Sequence, residues 1–218
     1  MAERAESKPN GDLAEARIDA IRDLELVEKR RGQILDASLK LFLDKGYAAV
    51  TVRDICAASG VNQASLYDYI ANKQDILRRL LNRLWFNRDI DGLADRLNEM
   101  GDDAPLSSVL VDYYRDNWRE RRDGLLLAYR SVPHLADEDR RLLRRREEDL
   151  IAALSERISV RTGAPGDLPQ VRVIANFMIY LNAFGPFRDW LMTEEEEDVA
   201  LETVAAGVDA MVAALAVR

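Results

Sequence analysis

A chain of 218 residues can bury a sizeable core, and 48% hydrophobic against 32% charged residues is the balance of a globular protein, not a disordered one. A single cysteine, Cys56, excludes an internal disulfide and suits a reducing cytoplasm, and the absence of any run of about 18 apolar residues leaves no membrane span. The net charge of −8 argues against a polyanionic partner for the chain as a whole, but Val27–Asp75 carries 7 basic and 6 acidic residues and is its least acidic stretch, so an acidic body would turn that face toward a polyanion. With 11 glycines, 6 prolines and no alternating β-branched run, the periodicity predicts an all-α fold of about nine helices.

The opening "MAERAESKPNGD" is polar, lacks the apolar centre of a secretory signal and reads as a disordered tail. "LAEARIDAIRDLELVEKR", from Leu13, is helix-compatible, either as an extra helix or as an extension of the next. "RRGQILDASLKLFLDKGY" puts Ile34, Leu35, Leu41 and Phe42 on one helical face, with Gly46 as C-terminal cap. Thr51 is predicted to cap a short helix, with Asp54 three residues on in a capping-box-like pair. Val52, Ile55, Cys56 and Ser59 form its inward stripe, and Gly60 ends it. Asn62 caps the following helix, which carries Gln63 to Tyr69, and Asn72 caps another whose amphipathic pattern runs toward Met100. Beyond the loop "GDDAP" the pattern predicts helices over 106–122, 124–132, 136–160, 168–192 and 194–217.

Helix, Gly-containing turn, helix is the plan of a helix-turn-helix DNA reader, whose second helix enters the major groove. The candidate base-reading residues are Asn62, Gln63, Ser65 and Asp68; Asn and Gln can pair bidentately with adenine. The hydroxyls of Tyr67 and Tyr69 and the ammonium of Lys73 suit phosphate oxygens, and Thr51 and Arg53 can meet the opposite backbone wall. The same pattern also describes a plain helical hairpin with half-buried tyrosines.

The pieces "ILDASLKLF", "GY", "TVRDI", "SGV", "LYDY" and "NKQDIL", from Ile34 to Leu77, resemble the N-terminal domain of tetracycline-repressor (TetR) family regulators in order and spacing. The resemblance implies a three-helix DNA-binding domain with a larger helical ligand-binding and dimerisation domain, and phosphate contact by Tyr67, Tyr69 and Lys73. It divides the chain into an N-terminal extension, flexible or helical (1–26), a helix-turn-helix domain (27–73) and a ligand-binding and dimerisation domain (74–218). Ala64 stands where the family often has Gly, which bears on how closely the helix approaches DNA, and Ile70 stands where Phe is usual. Cys56, where Ala is usual, is either a redox sensor or, from its inward position, an inert core residue.

The body is rich in aromatics. At helical spacing these are ordinarily core, but Trp85, Tyr114, Trp118, Tyr129, Tyr180 and Phe184 are candidates to line a mostly apolar effector pocket. Asn176 would be a polar anchor alongside Arg130, His134 and Asn182. His134, after Pro133, reads as a loop residue rather than a base. Thr203, Gly207, Ala210 and Ala214 give the last helix a small-residue face. The resemblance implies that the last two long helices pair with their copies in a homodimeric four-helix bundle; the alternative is that they close the monomer's own core.

No phosphate loop, metal-binding pair or nucleophile elbow is present, which argues against an enzyme, and no cofactor is expected. The expectation is a cytoplasmic transcriptional repressor, a homodimer on a palindromic double-stranded operator, released by a small apolar or amphipathic effector. "SLYDYIANKQDIL" suggests by analogy an acyl-CoA or catabolic intermediate. Control of a drug-efflux gene, or a helical protein-binding adaptor without DNA recognition, are the alternatives.

Overall fold

A computed structural model describes residues 12–86, 92–100 and 104–216. The polar tail lies outside them up to Gly11, as do residues 101–103 of the "GDDAP" loop. Among the described residues the fold is all-α: α1 (Leu24–Lys45), α2 (Val52–Ser59), α3 (Gln63–Leu66), α4 (Lys73–Leu84), α5 (Leu93–Glu99), α6 (Leu106–Glu120), α7 (Arg122–Ser131), α8 (Asp137–Thr162), α9 (Pro169–Leu181), α10 (Phe184–Arg188) and α11 (Glu194–Ala216). Short 3-10 turns occupy Val132–His134 and Asp189–Leu191.

Among the described residues, eleven α-helices instead of about nine arise from two breaks. The helix expected to run toward Met100 stops at Leu84, where the N–H groups of Trp85 and Phe86 both donate to the Leu81 carbonyl, at 2.8 and 3.0 Å. The segment expected as one helix over 168–192 divides after Leu181. There Asn182 and Ala183 donate to Ile179 and Tyr180, three residues back, which tightens the turn. Pro186 then falls in the first turn of α10, where no backbone donor is needed. The break also lets the α10 backbone lie on the Trp118 indole: a Cβ on Gly185 would stand 2.1 Å from Trp118 Cδ2. Gly185→Ala is therefore expected to lower stability by about 1–3 kcal/mol through overpacking. A urea midpoint equal to that of the parent protein would refute this contact.

Only the end of the stretch from Leu13 is helical, as an extension of the next helix: residues 12–22 are non-helical and α1 begins at Leu24, capped by Asp23, whose carboxylate accepts from Leu26 N–H at 3.0 Å. Side chains of α4 bind the backbone groups of Leu13 and Ala16 that helix formation would otherwise pair internally.

The chain forms two compact units. The first holds the described residues up to 86 with Asp123–Leu142, and so includes α1–α4, nearly all of α7 and the start of α8. The sequence boundaries drawn at 26/27 and 73/74 both fall inside it. Its core joins Ile34 and Phe42 of α1, Ile55 of α2, Leu66 of α3, Ile70, and Ile76, Leu77 and Leu80 of α4, all at most 2% exposed. The second unit holds the described residues of 88–122 and 143–218. There α11 packs on α6 and α9 through Leu201, Ala205, Val208 and Val212, with Leu110, Tyr114 and Trp118 of α6 beneath. No described helix is long and apolar enough to cross a membrane.

Candidate nucleic-acid interface

In the first unit, α2 and α3 are set by caps that the sequence encodes within three residues. Thr51 Oγ1 accepts from Asp54 N–H at 3.2 Å, and Asp54 Oδ2 accepts from the Thr51 N–H at 2.8 Å and hydroxyl at 2.6 Å, a complete capping box. These hydrogen bonds from Thr51 hold the Asp54 carboxyl below its usual range, with Lys45 and Arg53 adding a smaller electrostatic pull. Gly60 closes α2 at φ 69°, the left-handed region that glycine enters without a Cβ clash. Asn62 Oδ1 then accepts from Ser65 N–H at 2.8 Å and starts α3.

α3 is regular only over Gln63–Leu66 and continues as a turn through Tyr69, with Tyr69 and Ile70 both donating to the Leu66 carbonyl. Leu66 and Ile70 are fully buried and fix its inner side. Its outer side presents Asn62, Gln63, Ala64 and Tyr67, all exposed; Ser65 and Asp68 are half-buried. Thr51 and Arg53 are exposed at the start of α2. Six of the ten residues read as DNA contacts therefore lie at the surface, Ser65, Asp68 and Lys73 are half-buried, and Tyr69, only 7% exposed, belongs to the core.

Lys73 is engaged within the protein. Its Nζ donates to the carbonyls of Tyr47 and Val50, both at 2.8 Å, and stands 4.3 Å from the centre of the Tyr47 ring. An ammonium has three donors, so two are used in tying α4 to the loop between α1 and α2. Burial lowers the Lys73 pKa. Tyr47 also stacks on His134 at 5.6 Å, and burial raises its phenol pKa against the opposing pull of Arg78. Arg31 of α1 donates from Nε to the Tyr69 carbonyl at 3.3 Å. The structural parts of Tyr47 and Arg31 were missed in the sequence reading; their partners lie 26 and 38 residues away, beyond any helical periodicity.

The seven effector-pocket candidates divide between the units. Trp85 and Tyr129 meet edge to face at 6.0 Å in the first. In the second, Tyr114 stacks with Trp118 at 6.5 Å and Trp118 meets Phe184 at 6.1 Å. The Tyr114 hydroxyl donates to the Met178 carbonyl at 2.8 Å, and burial pushes its pKa far up, so it stays neutral. Two buried polar atoms of this unit, Trp118 Nε1 and Asn182 Oδ1, make no hydrogen bond among the described residues. Asn176 and Tyr180 instead face outward from α9. They share that surface with Val173 and Phe177, while Val199, Thr203, Gly207, Ala210 and Ala214 are exposed on α11. Arg130 and His134, the further polar anchors, lie in the first unit, where Arg130 donates to the Leu43 carbonyl at 3.1 Å.

Comparison with known proteins places this geometry. The family model described as bacterial regulatory proteins, tetR family, matches residues 34–80. The HTH-type transcriptional regulator HbdR of Aromatoleum sp. (strain CIB) is 32% identical over 136 residues, 60% of this chain and 56% of HbdR. The chain spans about half the length of the first curated relatives it matches, 56% and 46% of them. Among solved structures, a tetR-family regulatory protein from Rhodococcus RHA1 aligns with TM-score 0.66 at 15% identity, over 84% of this chain and 97% of the other. AibR, solved with isovaleryl coenzyme A and operator DNA, aligns with TM-score 0.60 at 21% identity, over 84% and 97%. The matched model covers the end of α1, the capped α2–turn–α3 arrangement and the start of α4, and the likeness to the solved structures, over 84% of the chain, is one of fold.

Proposed function

We propose that the protein is a ligand-responsive transcriptional repressor that binds a palindromic operator as a homodimer. The observation that carries the reading is the outward row Asn62, Gln63, Ala64 and Tyr67 on a helix whose other side is locked into the core by Leu66 and Ile70. A rigidly seated helix with a free polar face is what major-groove reading requires. Within that row the roles differ. Asn62 Oδ1 is occupied by its cap, so Gln63 is the better adenine reader. Tyr67, 48% exposed, is the phosphate contact. Arg53 supports it from the start of α2. Lys73 acts chiefly by bracing the loop after α1, with its remaining donor available to a phosphate.

The exposed apolar surface of α9 and α11 supports homodimerisation through those two helices, and a twofold dimer would read half-sites roughly 34 Å or more apart. For the effector, the Tyr114–Trp118–Phe184 cluster with the unpaired Trp118 Nε1 and Asn182 Oδ1 suits an apolar or amphipathic molecule with one polar group. AibR was solved with an acyl-CoA and operator DNA; at this identity that supports an acyl-CoA or catabolic intermediate only by likeness of fold. Release requires the effector to prefer the conformation that binds DNA poorly.

Fluorescence anisotropy on the upstream intergenic DNA, against scrambled DNA at several salt concentrations, tests the reading. Tyr67→Phe is expected to weaken operator and random DNA alike with the salt slope preserved, because a phenol carries no charge, while Gln63→Ala should change sequence preference. Equal weak binding of the parent protein to both DNAs would count against a repressor of this operator. Unchanged affinity in Tyr67→Phe would remove Tyr67 from the phosphate contacts.

A further inference from the structure

The segment before α1 is not a loose lead-in. Leu13 is 2% exposed, and three α4 side chains at i, i+4 and i+7 hold the backbone around it. Asn82 accepts from Leu13 N–H and donates to the Leu13 carbonyl, both at 2.9 Å, and also donates to Glu15. Arg79 donates to the Ala16 carbonyl at 2.5 Å and to Glu15 at 2.8 Å. Asp75 Oδ1 accepts from Ala16 N–H at 2.9 Å. Paired main-chain donors and acceptors on an extended segment are how a groove binds a peptide strand, with one buried side chain as anchor.

The Asp75 carboxylate is 2% exposed and works in two directions. Its Oδ2 accepts from Ala71 N–H at 3.1 Å, in the turn that joins α3 to α4, while Oδ1 holds the strand. Two residues earlier, the Tyr69 carbonyl of the same turn is held by Arg31, which lines the groove beside the strand together with Arg79 and Asn82. The strand and the turn behind the reading helix therefore share one buried acid and one wall of arginines.

We propose that the α1/α4 groove is a docking site for residues 12–16 of the chain itself, and that this strap orders the 69–72 turn and through it the pose of α3. The strap is a positioning element: it acts on DNA binding without touching DNA. The DNA part of the proposal rests on the repressor reading above; the ordering part does not.

The test uses full-length protein. Leu13→Ser removes the anchor, Asn82→Ala removes three hydrogen bonds to the strap, and Leu13→Ile is the conservative control. Hydrogen exchange is read over residues 69–76, with α6 in the other unit as internal reference, and operator affinity is read at several salt concentrations. Leu13→Ser and Asn82→Ala are expected to speed exchange over 69–76 and leave α6 unchanged. Operator affinity should fall roughly fivefold to tenfold, the scale of one or two lost net hydrogen bonds, with the salt slope preserved. Leu13→Ile should restore both readouts. Unchanged exchange over 69–76 in a strap that has itself become exchangeable would overturn the ordering role. A salt slope that falls with the affinity would mean the strap meets phosphate directly and would overturn the positioning role. If Leu13→Ser does not fold, Glu15→Gln, which keeps a hydrogen-bonding group but loses the ion pair to Arg79, must give a smaller change of the same sign. Failure of the parent protein to bind operator would refute the repressor reading while leaving the exchange result to decide the strap.

Discussion

Phe177→Glu is expected to convert the protein to a monomer and to weaken operator binding roughly 10²–10⁴-fold, the advantage a second linked contact confers. Val173, Phe177 and Tyr180 stand 67%, 43% and 55% exposed along one side of α9, at the i, i+4, i+7 spacing of a helical stripe. Val199 is 63% exposed on α11, and Gly207 farther along has open space where a Cβ would project. The buried sides of both helices are already filled by the core of their own unit, so this outer surface is surplus to the fold of one protomer. In a twofold interface each substitution occurs twice and faces its own copy or a near neighbour. Two carboxylates desolvated there without a cation are strongly unfavourable. Light scattering gives the mass and anisotropy gives the affinity. A variant that remains dimeric would remove this face from the interface, and a monomer that keeps full operator affinity would remove the dimer from recognition.

The parts of this molecule that were legible in its sequence are those fixed by partners three or four residues away. Thr51 with Asp54, Asn62 with Ser65, Asn72 with Asp75 and the Gly46 and Gly60 ends all follow from local backbone geometry and side-chain reach. The all-α class followed from periodicity in the same way. What was not legible depends on contacts between distant segments. Nothing local in "NKQDIL" tells that Lys73 will spend two donors on carbonyls 26 and 23 residues back. Tyr67 and Tyr69 have the same chemistry, yet one is open and the other buried, because the turn after Leu66 carries the second inward. The stretch from Leu13 has respectable helix formers, but its backbone groups are taken by Asp75, Arg79 and Asn82, 59 to 69 residues on. Local propensity loses to a satisfied long-range partner. The division at Leu181 likewise reflects the Gly185–Trp118 approach, which only the packed unit reveals.

Arg79→Met should be the most destabilising single change in the first unit, by about 3–5 kcal/mol, because it removes the cation from a buried acid and leaves the acid in place. The Arg79 side chain is 7% exposed and that of Asp75 3%, with Arg79 Nε 3.1 Å from Asp75 Oδ2. Asp75 would keep its hydrogen bonds from Ala16 and Ala71, which soften the loss without replacing the opposite charge. Methionine fills much of the arginine stem's volume, so the effect isolates the guanidinium rather than a cavity. Asp75→Asn in the same background removes the stranded charge, and the double variant is expected to recover a substantial part of the deficit. Exchange of the α4 amides reports the first unit's opening free energy, with α6 as reference for the second. If the double variant is no more stable than Arg79→Met, the damage lies in the lost Glu15 and Ala16 contacts and not in an uncompensated Asp75. If α4 exchange is unchanged in Arg79→Met, Asp75 is not left as an uncompensated buried charge, and protonation or water has taken the place of the guanidinium.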